Sequence, residues 1–423
     1  EQGVDFVFSD EDKLDEKGGS CDPHFKADFA PDMFLSQNYL SHLGVIRKTL
    51  VEEVGGFTPG TDGAQDYDLY LKVSEKTDRI AHTPKVLYHW RKVPGSTAAF
   101  FSEKSYAQDA GKLALQAAVE RRGFDAKVEG GKFPGTYRVR YRIQGRPLVS
   151  IVIPFRDQPE LLKLCIETIL DRSAYEHFEI IAVDNESADS ATHAEMRRLA
   201  RQDDRVRFEE YQHPFNFSAV NNYAISNSAR GEHVILLNND IEILATEWIE
   251  SLLEFSQRPD VGAVGARLLY PDGSVQHAGV ILGIGGVAGH SHKHLPGAHH
   301  GYFSRPHIVQ NVTAVTAACM MVKRHLYLNI GGLDEENLSI AFNDVDFCWR
   351  LREEGYRNVY TPYCEAIHHE SKSRGIEDTT EKQERFRDEV LYMMKRHSLA
   401  LKGGDPYYNC NLTLQFEDFS LAN

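Results

Sequence analysis

Residues 148–155 read LVSIVIPF, a nearly unbroken run of branched and aromatic apolar side chains that ends at Arg156 and Asp157. Such a run is typical of a parallel strand that is covered on both faces. Further along the chain, predicted helices alternate with predicted strands: helices 160–170, 191–201 and 218–229, and strands 178–183, 206–211 and 233–237. This alternation predicts an α/β fold with a mostly parallel sheet and flanking helices.

Polar side chains follow three of these predicted strands. They are Arg156-Asp157, Asp184-Asn185 and Asn238-Asn239-Asp240. Asp and Asn also favour turns and helix caps, so each one alone is ambiguous. Ligands of parallel sheets bind outside the carboxyl ends of the strands, and three such ends together favour a binding site. Aspartates in that place suit a divalent cation that bridges phosphate oxygens.

Composition excludes several classes of protein. The 423 residues contain 47 Lys+Arg and 62 Asp+Glu, a formal charge of −15 that disfavours nonspecific nucleic-acid binding. The longest apolar runs, such as 261–269, are far shorter than the ~20 residues of a membrane-spanning helix. Six scattered cysteines without a Cys-x-x-Cys pair indicate a reduced, cytosolic protein. Neither a P-loop nor a Gly-x-Gly-x-x-Gly motif follows the first strand of the run.

The chain also contains a weak repeat of itself. VGGF at 54–57 with QDYDL at 65–69 recurs as IGGL at 330–333 with NDVDF at 343–347. The segment SDED at 9–12, which follows a predicted strand, echoes NND at 238–240. The second copy follows a long βα run that has no counterpart before Glu1. We therefore interpret the first copy as the back half of a domain whose front half is missing. The predicted units are 1–100 (half-domain), 101–147 (helix and linker), 148–375 (complete domain) and 376–423 (C-terminal helix and tail).

Six landmarks in this order resemble those of family 2 glycosyltransferases, of the multi-module type that builds bacterial surface polysaccharides such as O-antigen and capsule. The landmarks are residues 149–157, 183–185, 236–240, 316–319, 342–346 and 368–369. The resemblance covers residues 148–375 and extends to 1–100 as the second half of another module. It implies a GT-A fold, Rossmann-like with a mostly parallel sheet and flanking helices, preceded by a partial second GT-A module.

The resemblance also implies an activity. Enzymes of this family move a sugar with inversion, so we expect hexosyl or deoxyhexosyl transfer from a UDP-, dTDP- or GDP-sugar to an oligosaccharide or a lipid-linked saccharide. It implies a divalent cation, Mn²⁺ or Mg²⁺. We expect no nucleic-acid partner and no transmembrane segment. The expected location is the cytoplasm or the inner face of the plasma membrane.

Roles for individual residues follow from the same resemblance. Asp344 is the expected general base, and Asp240 is the expected metal ligand, with His369 completing the site and His368 as its close rival. The expected nucleotide-binding residues are Pro154, Phe155, Asp157, Asp184, Asn222 and Asn239. The expected first-module counterparts of the metal and base residues are Asp10, Asp12, Asp66 and His89.

One departure from the family pattern keeps a second function open. The Asp-x-Asp position reads Asn238-Asn239-Asp240, which removes one carboxylate. A catalytically weak scaffold or saccharide-binding module of a larger assembly protein is therefore the alternative. A glycosidase would need two acids that flank one bond, and the nucleotide-type strand ends argue against it.

Three further features have competing interpretations. The histidine-rich segment 289–294 is either a transition-metal site or, as we favour, a lid or rim on the acceptor side. Asp346 is a rival base or, more simply, an acid that stabilises the start of a helix. Residues 376–398 predict a helix that packs on the catalytic domain rather than on a membrane.

Overall fold

The computed structural model describes residues 3–92, 105–370 and 379–422. The elements of residues 3–147 are β1 (Phe6–Leu14), β2 (Ser20–His24), α1 (Pro31–Phe34), β3 (Gly44–Ile46), α2 (Lys48–Glu53), α3 (Gln65–Ser74), β4 (Ile80–Arg91), α4 (Ser105–Arg121), β5 (Ala126–Gly130) and β6 (Tyr137–Tyr141). The strands that follow are β7 (Val149–Phe155), β8 (Phe178–Asp184), β9 (Val206–Glu210), β10 (His233–Leu237), β11 (Ile241–Ile243), β12 (Val261–Leu269), β13 (Val275–His277), β14 (Val280–Leu282), β15 (Ala288–His290), β16 (Gln310–Val312), β17 (Cys319–Lys323) and β18 (Arg357–His368). The helices that follow are α5 (Pro159–Arg172), α6 (Ser190–Gln202), α7 (Phe217–Asn227), α8 (Trp248–Ser256), α9 (Arg324–Asn329), α10 (Asn343–Glu353), α11 (Thr380–Arg396) and α12 (Ser398–Gly403).

Residues 148–370, called the second unit below, are built on a ten-stranded sheet. Its strand order is β11-β18-β12-β17-β10-β7-β8-β9, and β13 also pairs with β12 and β16 with β18. Strands β10, β7, β8 and β9 run parallel, as the apolar runs predict, and β17 is antiparallel to both of its neighbours. All seven residues of β7 are buried, which is the expected state of a strand covered on both faces. The predicted α/β class with a mostly parallel run and flanking helices is confirmed.

Residues 3–92, called the first unit below, repeat one part of this sheet. The pairing of their strands corrects the alignment of the two repeat copies that the sequence suggested. Strand β1 is antiparallel to β2 and β3 and parallel to β4. Strand β12 has the same three kinds of partner, because it is antiparallel to β13 and β17 and parallel to β18. The counterpart of β1 is therefore β12, whereas the repeat in the sequence aligned β1 with β10.

The register of the strands supports this correction. Ser9 pairs with Thr83 and Ala266 pairs with Thr361, and in both ladders the register shifts at the next residue. Asp10 thus corresponds to Arg267 rather than to a residue of Asn238–Asp240. A short acidic run after an apolar strand is a weak signal, since acidic residues are common where strands end.

The two units share one apolar core. A continuous cluster of buried side chains includes Phe34 of the first unit, Tyr137 and Tyr141 of the β5–β6 hairpin and Phe255 of α8. The buried Asp32 accepts hydrogen bonds from Arg258 and from Asn311 of β16. Within the described ranges, no helix combines the length and the apolar character needed to cross a bilayer. The predicted boundaries at 100/101 and 375/376 lie outside the described residues.

Candidate functional site

A cavity of about 550 Å³ opens at the carboxyl ends of β7 and β10. Six of the residues singled out in the sequence line it: Pro154, Phe155, Asn239, Asp240, Asp344 and His368. They come from β7, the β10–β11 turn, the start of α10 and the end of β18. The sheet topology therefore assembles residues that lie more than 200 positions apart in the chain.

Asp344 is the second residue of α10, and its carboxylate is fixed by two backbone N–H groups. Its Oδ2 accepts a hydrogen bond from Ala317 N at 2.9 Å, and its Oδ1 accepts one from Val345 N at 2.8 Å. Ala317 belongs to the 316–319 landmark, so the structure explains that motif as a support for Asp344. A carboxylate in the first turn of a helix is also stabilised by the helix dipole.

Asp240 and His368 form the second polar group of the cavity. Strands β11 and β18 pair with Ile241 opposite His368, which places His368 Nε2 at 3.2 Å from Asp240 Oδ1. The side-chain amide of Asn238 lies 3.3 Å from the same imidazole nitrogen. Both Asp240 and His368 are buried, and His368 Nδ1 has no hydrogen-bond partner among the described residues.

The neighbouring His369 lies apart from this group. Its Nε2 is 2.9 Å from Glu242 Oε2, and it does not line the cavity. Successive side chains of a strand point to opposite faces, so a pair of adjacent histidines places only one of its members beside Asp240. The structure brings His368 to Asp240 and leaves His369, the first choice from the sequence, with Glu242.

Asp157 and Asp184 do not line the cavity but shape the turn beside it. Asp157 Oδ1 accepts hydrogen bonds from Ala188 N at 2.9 Å and Asp189 N at 2.8 Å. Asp184 Oδ1 accepts one from Ser187 N at 3.0 Å. Asp184 pairs with Phe155, a residue of the cavity wall, in the β7–β8 ladder. The two carboxylates thus hold the turn that precedes α6 against the edge of the cavity.

Asn222 lies elsewhere. Its side chain accepts hydrogen bonds from Tyr327 Oη at 2.6 Å and Leu333 N at 3.0 Å, and it donates to Leu333 O at 2.9 Å and Glu335 Oε2 at 2.8 Å. It lines a separate cavity of about 520 Å³ beside α9. The structure therefore shows Asn222 as a tether of the loop after α9 and does not bring it to the expected nucleotide pocket.

His290, from the histidine-rich segment, lines the cavity together with Gln276. Its Nδ1 lies 2.8 Å from Gln276 O, and its ring packs edge-on against His277 at 5.2 Å. Burial lowers the pKa of His290, against the opposing effect of the Asp344 carboxylate. This place on the cavity wall fits the predicted rim. The transition-metal alternative gains no support, because the described residues contain no group of three or more His, Cys, Asp or Glu arranged to hold a metal ion.

The C-terminal helix α11 supports the cavity, as a helix packed on the domain is predicted to do. Glu389 accepts hydrogen bonds from Ile340 N at 2.9 Å and Ala341 N at 3.2 Å, just before Asp344. Phe386, which lines the cavity, packs on Phe342 with ring centroids 5.7 Å apart. Nothing in the sequence pattern pointed to Phe386 as a wall residue, because the contact joins two elements far apart in the chain.

Asp346 lies in the first turn of α10, as the sequence predicts, but its main contacts are with basic side chains. Its carboxylate is fully buried and contacts Arg350 at 2.7 Å, Arg396 at 2.9 Å and His397 at 2.8 Å. Burial opposes ionisation, yet these cationic and hydrogen-bonding partners lower the pKa of Asp346. The residue ties α10 to the end of α11 and does not line the cavity.

The first-module counterparts are separated. Asp10 is fully buried and contacts Lys26 N at 2.9 Å, His82 Nε2 at 2.8 Å and Asn409 Nδ2 at 3.0 Å. Asp12 pairs with His89 Nδ1 across the β1–β4 ladder. Asp66 lines a different cavity, of about 630 Å³. The expected metal position of the first module is thus corrected: Asp10 is a buried link between the first unit and the C-terminal tail.

The chain is similar in sequence to several known proteins. The sequence profile of Glycosyl transferase family 2 matches residues 150–327. The uncharacterized protein y4gI of Sinorhizobium fredii is 48% identical over 99% of this chain and 46% of its own length. The O-antigen biosynthesis protein RfbC of Myxococcus xanthus is 39% identical over 98% of this chain and 32% of its own length. The chain thus spans less than half the length of these two relatives.

A solved structure with a similar chain course is that of the mannosyltransferase PcManGT from Pyrobaculum calidifontis in complex with GDP-Man and Mn²⁺. The two chains are 15% identical, with a TM-score of 0.44. The similarity covers 71% of this chain and 75% of that one.

Proposed function

Since residues 150–327 belong to glycosyltransferase family 2, with the GT-A fold that the sequence predicted, we propose that the second unit transfers a sugar from a nucleotide diphosphate sugar to a saccharide acceptor with inversion. The similarity to an O-antigen biosynthesis protein supports a bacterial surface polysaccharide as the product. Hexosyl and deoxyhexosyl donors linked to UDP, dTDP or GDP are the candidates.

One observation carries the proposal. The carboxylates of Asp344 and Asp240 line the same cavity of about 550 Å³ from different elements, α10 and the β10–β11 turn. An inverting transfer needs a base on one side of the anomeric carbon and a site for the departing diphosphate on the other. The cavity offers a candidate group for each task.

Asp344 is the proposed base. Its carboxylate accepts the proton of the acceptor hydroxyl while the hydroxyl oxygen forms the new bond to the anomeric carbon. The bond from that carbon to the diphosphate oxygen breaks, and its electron pair leaves with the nucleoside diphosphate. The hydrogen bonds from Ala317 N and Val345 N hold the carboxylate in place for this step.

The residues at Asp240 fit a divalent cation. A carboxylate oxygen and an imidazole nitrogen 3.2 Å apart can serve as two ligands of one ion. Two neighbouring polar atoms, Asn239 Nδ2 and His368 Nδ1, are buried without a hydrogen-bond partner among the described residues. Mg²⁺ and similar ions commonly take one or two protein ligands and complete their shell with water and substrate phosphates. Mn²⁺ or Mg²⁺ held by Asp240 and His368 would offset the charge of the departing diphosphate. Asn238 stands where the family pattern has an aspartate, and its Nδ2 lies 3.3 Å from His368 Nε2.

The nucleotide end of the donor is proposed to lie at Pro154, Phe155 and Asn239, next to the turn held by Asp157 and Asp184. The exposed Arg156 also lines the cavity and is the cation best placed to meet a phosphate. Asn222 is left out of this group because its side chain is engaged with Tyr327 and Leu333.

A donor screen tests the proposal. Release of nucleoside diphosphate from a panel of UDP-, dTDP- and GDP-sugars would be measured for the full chain with Mn²⁺, with Mg²⁺ and with EDTA. We expect turnover of one donor, dependent on the cation, and its loss in Asp344→Asn by about 10²–10⁴-fold with donor binding retained. The alternative, a catalytically weak scaffold, is supported by the asparagine at position 238, where the family pattern has a carboxylate. It would be established if wild type and Asp344→Asn both bind the donor and neither releases nucleoside diphosphate.

A further inference from the structure

A buried histidine, His277, lies behind the wall of the Asp344 cavity. It is the last residue of β13, where it pairs with Leu268 of β12. Its side chain is fully buried and does not line the cavity itself. The proposed transfer step does not use this side chain, yet a fully buried polar ring needs hydrogen-bond partners.

Both ring nitrogens of His277 contact backbone groups, and the two contacts fix its tautomer. Nδ1 lies 2.8 Å from Ala266 O, and a carbonyl oxygen can only accept, so Nδ1 carries the proton. Nε2 accepts a hydrogen bond from Thr316 N at 3.2 Å. Burial, assisted by the neighbouring His290, lowers the pKa of His277 to about 3, so the ring stays neutral at physiological pH. The neutral ring thus joins β12 to the turn that begins at Thr316.

That turn, residues 316–318, leads into β17 and contacts both sides of the proposed transfer site. Ala317 N donates a hydrogen bond to Asp344 Oδ2 at 2.9 Å. Ala318 O accepts one from Asn238 N at 3.0 Å, at the start of the β10–β11 turn. All three residues of the turn line the cavity. A displacement of the turn would therefore move the support of the base candidate.

From these contacts we propose that His277 is a positioning residue for the transfer step: its Nε2 accepts the hydrogen bond of Thr316 N and thereby fixes the turn that holds the Asp344 carboxylate. This role rests on the proposed transfer activity. A misplacement of about 1 Å at a reacting group can lower a rate by about 10²-fold, so loss of the contact should lower kcat. The Michaelis constant of the donor should change little, because Pro154 and Phe155 belong to β7 and not to this turn.

A ring that only fills space would respond differently to substitution. His277 packs edge-on against His290 at 5.2 Å and Tyr360 at 6.1 Å, contacts that a phenylalanine ring would also make. Phenylalanine has no acceptor for Thr316 N. The amide of glutamine reaches the place of Nε2, whereas that of asparagine reaches only the place of Nδ1. The three substitutions therefore separate packing from the hydrogen bond to Thr316.

Steady-state kinetics of His277→Phe, His277→Asn and His277→Gln test this role in the full chain, with the donor that wild type uses. We expect kcat for nucleoside diphosphate release to fall by about 10–100-fold in the Phe and Asn variants, with less than about a threefold change in the Michaelis constant of the donor. The Gln variant should keep kcat within about threefold of wild type. His233→Phe is the matched control, because His233 is also buried, bonds Ser256 Oγ at 2.8 Å and lies outside the cavity. It should change kcat by less than about threefold.

Amide hydrogen exchange measured by mass spectrometry gives a readout that needs no turnover. Peptides that cover residues 313–320 should exchange at least about tenfold faster in His277→Phe and His277→Asn than in wild type. His277→Gln should keep the protection of wild type, because it retains the acceptor. Thermal melting followed by circular dichroism establishes that each variant is folded.

The role of His277 is overturned if His277→Phe keeps the wild-type kcat or the wild-type amide protection, or if His277→Gln loses as much kcat as His277→Phe. It is also overturned if only the Michaelis constant of the donor rises, or if His233→Phe has the same loss. If wild type releases no nucleoside diphosphate from any donor, the transfer proposal fails. Exchange of the 313–320 peptides then decides by itself whether His277 fixes the turn.

Discussion

The Asp344 and Asp66 cavities share an aspartate at the second position of a helix, but they differ in what closes the opposite side. Ends of parallel strands with Asp240 and His368 close the first cavity, and a hairpin turn, residues 131–135, closes the second. The comparison shows that the two units share the helix that carries the base candidate and differ in the elements that lie opposite it. A base alone supports binding of a hydroxyl, whereas transfer also needs groups for the leaving diphosphate.

The two cavities nevertheless belong to one packed body. The C-terminal tail, which follows the second unit, reaches the first unit through Asn409, whose Nδ2 contacts Asp10 and donates to Lys26 O at 2.9 Å. Tyr302 Oη donates to Pro23 O at 2.9 Å and accepts from Phe25 N at 2.7 Å. We therefore expect substitutions at this interface to affect both units together.

The largest expected difference between the cavities is in transfer rate. Asp344→Asn should lower the rate of nucleoside diphosphate release by about 10²–10⁴-fold, because it removes the proton acceptor. Asp66→Asn should lower it by less than about threefold, since Asp66 lines a different cavity from the one that holds Asp344 and Asp240. Steady-state kinetics at saturating donor would measure both. A comparable loss in Asp66→Asn would show that the first unit takes part in the chemistry.

The next largest expected effect is on the stability of the interface between the two units. Asp32→Ala should lower the free energy of unfolding by about 3 kcal/mol, because it removes the carboxylate that pairs with the mostly buried Arg258 and with Asn311 across the interface, although Asp260 still contacts Arg258. Urea unfolding followed by circular dichroism measures this value. Glu176→Ala removes a mostly exposed partner of Arg146 and is the matched control, with an expected change under about 1 kcal/mol. Equal effects of the two substitutions would contradict a shared core.

A smaller effect should distinguish the two adjacent histidines. His368→Ala should raise the Mn²⁺ concentration that gives half-maximal activity by at least about tenfold, because it removes the group next to Asp240. His369→Ala, which removes only the contact to Glu242, should change it by less than about threefold. A larger effect of His369→Ala would mean that His369, and not His368, lies beside Asp240.

The smallest effect is a pH dependence at Asp10. Burial opposes protonation of His82, but its contacts with Asp10 and Asp28 raise its pKa above 6.5 overall. The folded state therefore binds the proton more tightly, so the contribution is fully present below about pH 6.5 and is lost as the pH rises through the folded pKa.

Melting curves measure this dependence. Between pH 6 and pH 8.5 the wild-type melting temperature should fall by about 1–2 °C more than that of His82→Gln. An identical pH profile in the two proteins would show that the Asp10–His82 pair does not stabilise the fold. Stabilisation of the first unit by Mn²⁺, abolished in Asp10→Asn, would restore Asp10 as a metal ligand.

The sequence predicted strands with continuous apolar runs well. Strand β10 has the predicted bounds 233–237, and β7 begins one residue after the predicted 148. Fully buried parallel strands need apolar side chains on both faces, so each appears in the sequence as a continuous apolar run that can be identified locally. The candidate base was found by a different route, through the resemblance of the 342–346 landmark, and the structure places Asp344 on the cavity wall.

Other assignments depended on contacts that no local pattern encodes. The choice between His368 and His369 follows from the register of β11 on β18, and a shift of one residue would exchange them. Asn222 was expected at the nucleotide, yet it binds the loop after α9, which lies more than 100 positions further along the chain. Long-range hydrogen bonds of this kind are decided by how the elements pack.

By itself, the sequence determined the α/β class, the repeat of the base-bearing helix and the polar residues that follow β7, β8 and β10, because apolar periodicity and strand-end residues act over a few positions. The tertiary structure decided that β1 is the counterpart of β12, that Asp10 is a buried link and that Asp66 lines a different cavity from Asp344. Strand pairing joins distant segments through backbone hydrogen bonds, which are common to every residue and therefore leave little trace in side-chain identity.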